Sequence, residues 1–451
     1  MSSVRLSRTT APIATYGPFV LALYLLLTTR WGSYVVPGPP FVADLVIGGL
    51  IFERFLALSG RGRLLAPVAP SLGFAVGVLL TFSVAVFLLG EHSLDAARDA
   101  APFAYGVLIY LTWPLEGRKA SVATRLLTGA LYLHLLWVTL ALVGVQAASV
   151  PTPGNDEVQF LALRSDMDGL VNGLAASVGL YRLLSNRPGA VLFGWGLILV
   201  LGMNSRVALI STTVMLLCAV GYVSVQRRRG WLRHQDGAGS SAQVAPMIPA
   251  RALFALSAAF VAAGLAFSIY APTAVERLGG TFGEPGRSEA GARAAGTTQA
   301  RLKTWSALHD WTTEDPWRNA LGAGFGVNVM AVSGASIALL RTNDPDLRSP
   351  HNFLLTAWAR LGLLGFAVVT LIFAVGLRLA AQVRKMPMTD IDLVAGLLLV
   401  SLPIAALTGV VLESPFGAIP YFWALGHLGS RVEWHRRSEN LPQQTQCARP
   451  A

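Results

Sequence analysis

The chain has 451 residues, of which 53% are hydrophobic and only 13% charged, and its mean hydropathy is +0.55. An ordinary soluble domain carries roughly 25% charged residues, so a water-soluble fold of this length is excluded. The formal net charge of +11 would suit nucleic acid, but the basic residues cluster between apolar runs. That is the pattern of inner loops in a polytopic membrane protein, so no nucleic-acid partner is expected. Two cysteines, Cys218 inside an apolar run and Cys447 near the end, supply neither a disulfide framework nor a CxxC metal site.

Apolar runs of about 20 residues read as spans. In chain order they fall near 12–29, 39–52, 64–90, 101–115, 126–148, 168–184, 190–203, 207–225, 252–271, 353–377, 391–411 and 415–430. The first runs into Arg30 and Trp31 without an A-x-A cleavage site, so it reads as a span and not a cleavable leader. The expectation is an all-α polytopic bundle of about 12 transmembrane helices. Spans 1–9 occupy residues 1–271, an extracytoplasmic loop 272–350, spans 10–12 residues 351–430, and a cytoplasmic tail 431–451.

Placing the N-terminus in the cytoplasm assigns most of the 35 Arg and Lys residues to the inside. The short outer connections then hold only Arg30, Arg98, Arg164 and Arg206. This bias selects that orientation over its inverse, with both termini inside. The inner loop 226–250 opens with Arg227, Arg228 and Arg229 and continues as a Gly/Ser/Ala stretch. It reads as a flexible linker meeting anionic membrane lipid.

The outer loop 272–350 mixes charges of both signs with Trp305, Trp311 and Trp317. Within it, Leu302, Trp305 and Leu308 recur at three-residue spacing and predict an amphipathic helix over Thr298–Trp311. The tryptophans suit either a headgroup-level aromatic belt or a platform for a sugar.

One charge stands out. The stretch 190–225 is too long for one span and predicts a hairpin turning at Asn204, Ser205 and Arg206. An arginine near membrane depth is costly and usually functional, and its planar fork of donors suits phosphate or pyrophosphate. The outer loop ends in LRSPHNFLLTAWARLGLLG, where Ser349 can cap a helix and Pro350 can take its first position. His351 then falls in the first turn, where the positive end of the helix dipole favours a neutral imidazole able to accept a hydroxyl proton. His92, His134 and His309 read as structural.

The segment HNFLLTAWARLGLLG resembles the signature of the O-antigen ligase and Wzy-type O-antigen polymerase family. His351, Asn352, Leu355, Gly362 and Gly365 match it. Ser205 and Arg206 match the family's Ser-Arg at the outer end of a span, and Arg301 matches an arginine in the outer loop about fifty residues before the histidine. The likeness is specific over roughly Ala190–Ala380. It departs where many members carry an acidic residue before the first glycine of the pair, since this chain has Arg360 and Leu361. Arg360 lies nine helical positions from His351, hence about 13 Å along the axis and on the opposite side, so it is expected to stay outside the site.

The resemblance implies a GT-C-like, metal-independent inverting glycosyltransferase without a cofactor. It would use a lipid-linked oligosaccharide on polyprenyl diphosphate as donor and a glycan or lipid-core hydroxyl as acceptor. Arg206 and Arg301 would bind the diphosphate and His351 would act as base, with Asn352 and Ser205 in support. Glu413, at the outer turn between the last two spans, is a candidate to orient the histidine; a glycosidase-type mechanism would need two carboxylates flanking one bond, and nothing in the sequence selects Glu413 and Asp310 for it. The alternative from another class is a transporter or flippase of polysaccharide precursors, which would instead place ionisable residues at the bilayer midplane.

Overall fold

The computed structural model describes residues 10–28, 42–58, 65–144, 151–152, 155–159, 163–203, 205–230, 289–340 and 347–440. The expected span 252–271, most of the inner loop 226–250, Asn204, Asp344, Asp346 and the tail beyond 440 lie outside these residues.

The described chain is helical. In order it forms α1 (Thr10–Thr28), α2 (Val42–Leu58), α3 (Pro70–Leu89), α4 (Leu94–Ala104), α5 (Leu108–Leu111), α6 (Gly117–Leu142), α7 (Met167–Leu184), α8 (Ala190–Gly202) and α9 (Arg206–Arg228). After the outer-loop helices α10 (Glu289–Glu314), α11 (Pro316–Leu321), α12 (Val329–Val332) and α13 (Ala335–Leu340) come α14 (Phe353–Val383), α15 (Asp390–Ala406) and α16 (Pro415–Asn440). A small antiparallel hairpin of β1 (Pro151–Thr152) and β2 (Asn155–Gln159) qualifies the all-α expectation.

Four described helices are long and apolar enough to cross a membrane: α3, α6, α9 and α14. Thr15–Leu27 and Ala190–Gly202 form shorter apolar helices. A multi-pass helical membrane protein follows, but the described residues do not reproduce twelve spans. The run 101–115 is one reason. Pro102 lies inside α4, a 3₁₀ turn at Tyr105–Val107 follows, and α5 stops after one turn at Leu111. The stretch is divided among α4, the 3₁₀ turn and α5, none of which is long enough to cross by itself. The run placed at 126–148 instead begins at Gly117.

Helix α7 is the central element. Residues Met167–Leu183 are all buried, and α8 and α9 both pack against it. The sequence permits this because Gly169, Gly173 and Ser177 recur every four residues on one face, the small-residue spacing that lets membrane helices approach closely. A Cβ on Gly173 would lie 2.0 Å from Thr212 Oγ1 of α9. Helix α15 packs against α9, α14 and α16, and α16 also meets α1. Helix α8 ends at Gly202 and α9 begins at Arg206, on either side of the position predicted for the turn.

Charge separates to the two ends of the bundle. At one end Asp390 pairs with Arg182 and Arg187 at 2.7 and 2.6 Å. Asp392 meets the buried His427 at 2.9 Å, Arg431 pairs with Glu116, and Gln226 donates to the Arg384 and Met386 carbonyls. All of these arginines carry the inside assignment of the sequence reading. The other end holds the candidate site.

Candidate functional site

Helix α14 begins three residues later than its sequence suggests, and with a different cap. Asn352, not Ser349, is the N-cap: its side-chain oxygen accepts from Leu354 N and Leu355 N at 3.1 and 3.2 Å. His351 precedes the cap with φ +57°, a left-handed conformation uncommon for residues other than glycine, though histidine enters it more readily than most. Three contacts hold it there. Its N–H donates to Ser349 Oγ at 3.0 Å, and Ser349 in turn bonds the Glu413 carboxylate. The Pro350 carbonyl accepts from Trp305 Nε1 at 2.8 Å. Glu413 also accepts from Thr356 Oγ1 at 2.9 Å, so it acts on His351 through the Ser349 turn and not on the imidazole.

The loop helix α10 supplies Trp305 and Arg301. Its buried face differs from the predicted stripe: Thr304, Leu308 and Thr312 are buried, spaced by four, while Leu302 is 57% exposed. Trp305 is therefore a clamp on the turn before His351. Trp311 lies beneath the Arg318 guanidinium, 4.1 Å from ring centroid to Cζ, and Trp317 is exposed.

Arg206 is the first residue of α9, whose N-cap is Ser205 through a hydrogen bond from Ala208 N. A cation at a helix N-terminus is unfavourably placed with respect to the dipole, and helix stability gives no reason for it. Its guanidinium donates to Thr298 Oγ1 on α10 at 3.1 Å and lies close enough to Arg301 to depress that residue's proton affinity, an effect to which burial contributes more and which Asp166 opposes. Arg301 remains a cation in any case. It reaches His351 electrostatically: burial first, then the Arg301 charge, hold the imidazole below its ordinary range, again against Asp166. Arg206, Arg301 and His351, separated by up to 145 positions in the chain, thus occupy one neighbourhood.

His351 also lines a cavity of about 320 Å³. Its walls carry Arg98, Arg164, Arg348 and Arg360 together with Asp99 and Glu413. The expectation that Arg360 stays outside the site is wrong. Helical-wheel arithmetic does not apply to His351, which sits ahead of the cap in a left-handed turn, and the chain before α14 folds back toward Arg360. That arginine is 2% exposed and donates to Asp99 Oδ2 at 2.5 Å. Asp99 also receives Arg348 at 2.6 Å and Gly326 N at 3.1 Å. A carboxylate shared by two guanidiniums and a backbone amide offsets the cost of burying the charges. Sequence reasoning missed Asp99 and Arg348, and the only available hint was that both lie in segments assigned to the outer side. Asp310 is exposed and paired with His309, so of the two carboxylates considered only Glu413 lines the cavity. Burial raises the Glu413 proton affinity, against the Ser349 and Thr356 hydrogen bonds. His134 bonds the Leu27 carbonyl inside the bundle, in keeping with a structural role.

A break in α14 builds the rest of the wall. Gly362 has φ 64° and ψ −165°, a region open essentially to glycine alone. The carbonyls freed by the break, Ala359 O and Arg360 O, accept from Ala323 N and Gly324 N at 2.8 and 3.0 Å. The loop after α11 is thereby fastened into the helix beside Arg360. Thus the first glycine of the Gly-x-x-Gly pair has a backbone reason to be glycine.

No curated protein matches the chain. Residues 191–370 match a family model described as O-antigen ligase. The matched segment starts in α8 and ends in α14, so it contains Arg206, Arg301, Arg348, His351 and Arg360, while Arg98, Asp99, Arg164 and Glu413 come from outside it. Over this segment, and not over the rest of its length, the chain is similar to the O-antigen ligase family.

Proposed function

We propose that the protein is a membrane glycosyltransferase of surface polysaccharide assembly. It moves a glycan from a polyprenyl-diphosphate carrier to an acceptor sugar hydroxyl, in polymerisation or ligation, at the extracytoplasmic face of the cytoplasmic membrane. Both termini are cytoplasmic in this reading. The observation that carries it is the grouping of an imidazole that lines a cavity with two mutually repelling arginines, of which Arg301 acts on the imidazole. Arg206 and Arg301 repel each other, so an anion between them relieves a cost already present in the fold. A diphosphate has the charge and the oxygens to do so.

In the reaction the acceptor oxygen attacks the anomeric carbon and the bond to the diphosphate breaks on the opposite face. His351 takes the hydroxyl proton, and the two guanidiniums stabilise the charge gained by the leaving diphosphate, assistance that a metal supplies in other enzymes. Burial and Arg301 suit His351 to this task because they favour the unprotonated ring, the form that can accept a proton. Asn352 and Ser205 support the site by capping the helix that follows His351 and the helix that begins at Arg206.

The test uses purified protein in nanodiscs with a polyprenyl-diphosphate oligosaccharide, alone and with a separate lipid-core acceptor. Lengthening of the lipid-linked chain without added acceptor marks a polymerase, and transfer only to the core marks a ligase. His351→Ala is expected to lower the rate by about 10²–10⁴-fold, the usual worth of a general base. Full activity in His351→Ala, or in the pair Arg206→Gln and Arg301→Gln, overturns the proposal.

A further inference from the structure

The helix that follows His351 doubles back on itself. Phe353 and Phe373 lie 6.4 Å apart between ring centroids, and Phe353, Val369, Ile372 and Phe373 line one small apolar void. A continuous helix would hold the two rings about 30 Å apart. The reversal falls at Gly362, the positive-φ residue of the break, and a Cβ on Gly365 would lie 3.0 Å from the Ala357 carbonyl oxygen. The first glycine of the pair turns the chain, and the second lets the two arms pack closely. Only the longer arm, from Leu363 to Val383, is left to cross the membrane. It rises about 30 Å against a hydrocarbon core of roughly 30 Å, and Arg384 and Lys385 follow at its other end. With no length to spare, its Gly362 end lies at the boundary between acyl chains and headgroups, at the candidate-site end of the bundle.

Helix α11 sits on that turn. A Cβ on Gly362 would lie 2.5 Å from Leu321 N, Asn319 Oδ1 accepts from Trp358 Nε1 at 3.0 Å, and the Arg318 guanidinium covers the Trp311 ring of α10. Trp317 and Leu321, one turn apart and so on a common face, take no part in this packing. Both are exposed, Trp317 at 76%. Leu363 and Leu364, which open the crossing arm, are exposed as well, and Leu371 and Leu377 carry exposed apolar surface down its length. Leu321 and Leu363 flank the same backbone contact, so the bare side chains of α11 adjoin the surface that the crossing arm turns to lipid. An indole is favoured at the level of the headgroups, where its ring meets acyl chains and its N–H meets water.

We propose that α11 is seated in the phospholipid leaflet beside the candidate site, with Trp317 and Leu321 among the upper acyl chains, and that this seat braces the wall of the cavity. The braced loop begins just after Leu321, where Ala323 N and Gly324 N bond the Ala359 and Arg360 carbonyls, and Arg360 lines the cavity. The occupant is lipid and not substrate, so the seat is independent of glycosyl transfer.

The position of α11 is measured with nitroxide labels on full-length protein in phosphatidylcholine nanodiscs. Trp317→Cys, Leu321→Cys, Asp310→Cys and Leu371→Cys are made one at a time in a background of Cys218→Ala and Cys447→Ser. Collisions with oxygen, which concentrates in lipid, are compared with collisions with a water-soluble nickel chelate. Asp310, exposed and polar on α10, reports water, and Leu371 reports acyl chains. The oxygen-to-nickel ratio at Trp317→Cys and Leu321→Cys is expected to exceed that at Asp310→Cys by about threefold or more, as for a site that has exchanged water for the interface, without exceeding that at Leu371→Cys. A ratio equal to that of Asp310→Cys, or labels shielded from both reagents as in contact with a second copy, overturns the proposal.

The brace is tested by hydrogen exchange of the peptide covering residues 322–326 in the same nanodiscs. Trp317→Asp replaces an exposed side chain, its elution profile is checked against wild type, and its charge expels α11 from the acyl boundary. Exchange is expected to quicken by about fivefold or more, while Trp317→Phe, which keeps the apolar contact, stays within about twofold of wild type. Exchange in Trp317→Asp no faster than in Trp317→Phe overturns the brace.

Discussion

Replacing Gly362 by alanine tests whether the break in α14 holds the loop that builds the cavity wall. Alanine at φ 64°, ψ −165° is forced into a region costing about 1–3 kcal/mol. Relaxation in place is blocked, because the new Cβ would lie 2.2 Å from Ala320 O. The approach is tight from the other side too, where a Cβ on Gly322 would lie 2.3 Å from the Arg360 carbonyl. The backbone must part, and the bonds from Ala323 N and Gly324 N then weaken, at about 0.5–1.5 kcal/mol each. The combined effect is roughly 2–6 kcal/mol of local stability, which at tenfold per 1.4 kcal/mol lowers protection from hydrogen exchange by about 30-fold or more. The assay is exchange by mass spectrometry on a peptide covering residues 322–326. Gly129→Ala serves as control: a Cβ there meets nothing within 4 Å, and alanine in a helix interior is neutral to favourable. Exchange in the 322–326 peptide that stays within threefold of wild type in Gly362→Ala would refute the reasoning.

Arg301→Gln removes the charge that, after burial, depresses the His351 proton affinity, so the histidine pKa should rise toward its ordinary value. The sign follows from linkage. With the folded-state value below the unfolded one, His351 contributes stability above the ordinary histidine pKa of about 6.5, and this is lost as pH falls through the folded value. NMR titration of the imidazole reads the shift directly, and an unchanged or lower value in Arg301→Gln contradicts the electrostatic account. Asp99→Asn leaves the buried Arg360 and Arg348 without their shared carboxylate, and thermal unfolding should show a loss of about 3–5 kcal/mol. Adding Arg360→Met should recover part of it, and a single variant as stable as wild type would rule the network out as a support. Gly173→Leu cannot fit against Thr212 and should destabilise by about 1–3 kcal/mol or more. Gly48→Leu, where a Cβ meets nothing within 4 Å, should leave the melting temperature unchanged.

What the sequence determines here is what short-range physics encodes. Apolar runs give helices such as Pro70–Leu89, the 190–225 stretch turns where its polar residues fall, and the His351 segment carries the family likeness. Segregation of arginines was legible as well: Arg98, Arg164 and Arg206, assigned to short outer connections, all gather near His351. Tertiary structure decided the rest. Composition cannot foresee that a turn at Tyr105–Val107 interrupts an apolar run, or that α10 buries threonines where its sequence offers Leu302. Nor does periodicity reveal that Arg360 meets Asp99 across 261 positions of sequence. Helical pattern fixes which residues share a face, but which faces meet, and which charges must therefore be neutralised together, is set by packing between elements remote in the chain.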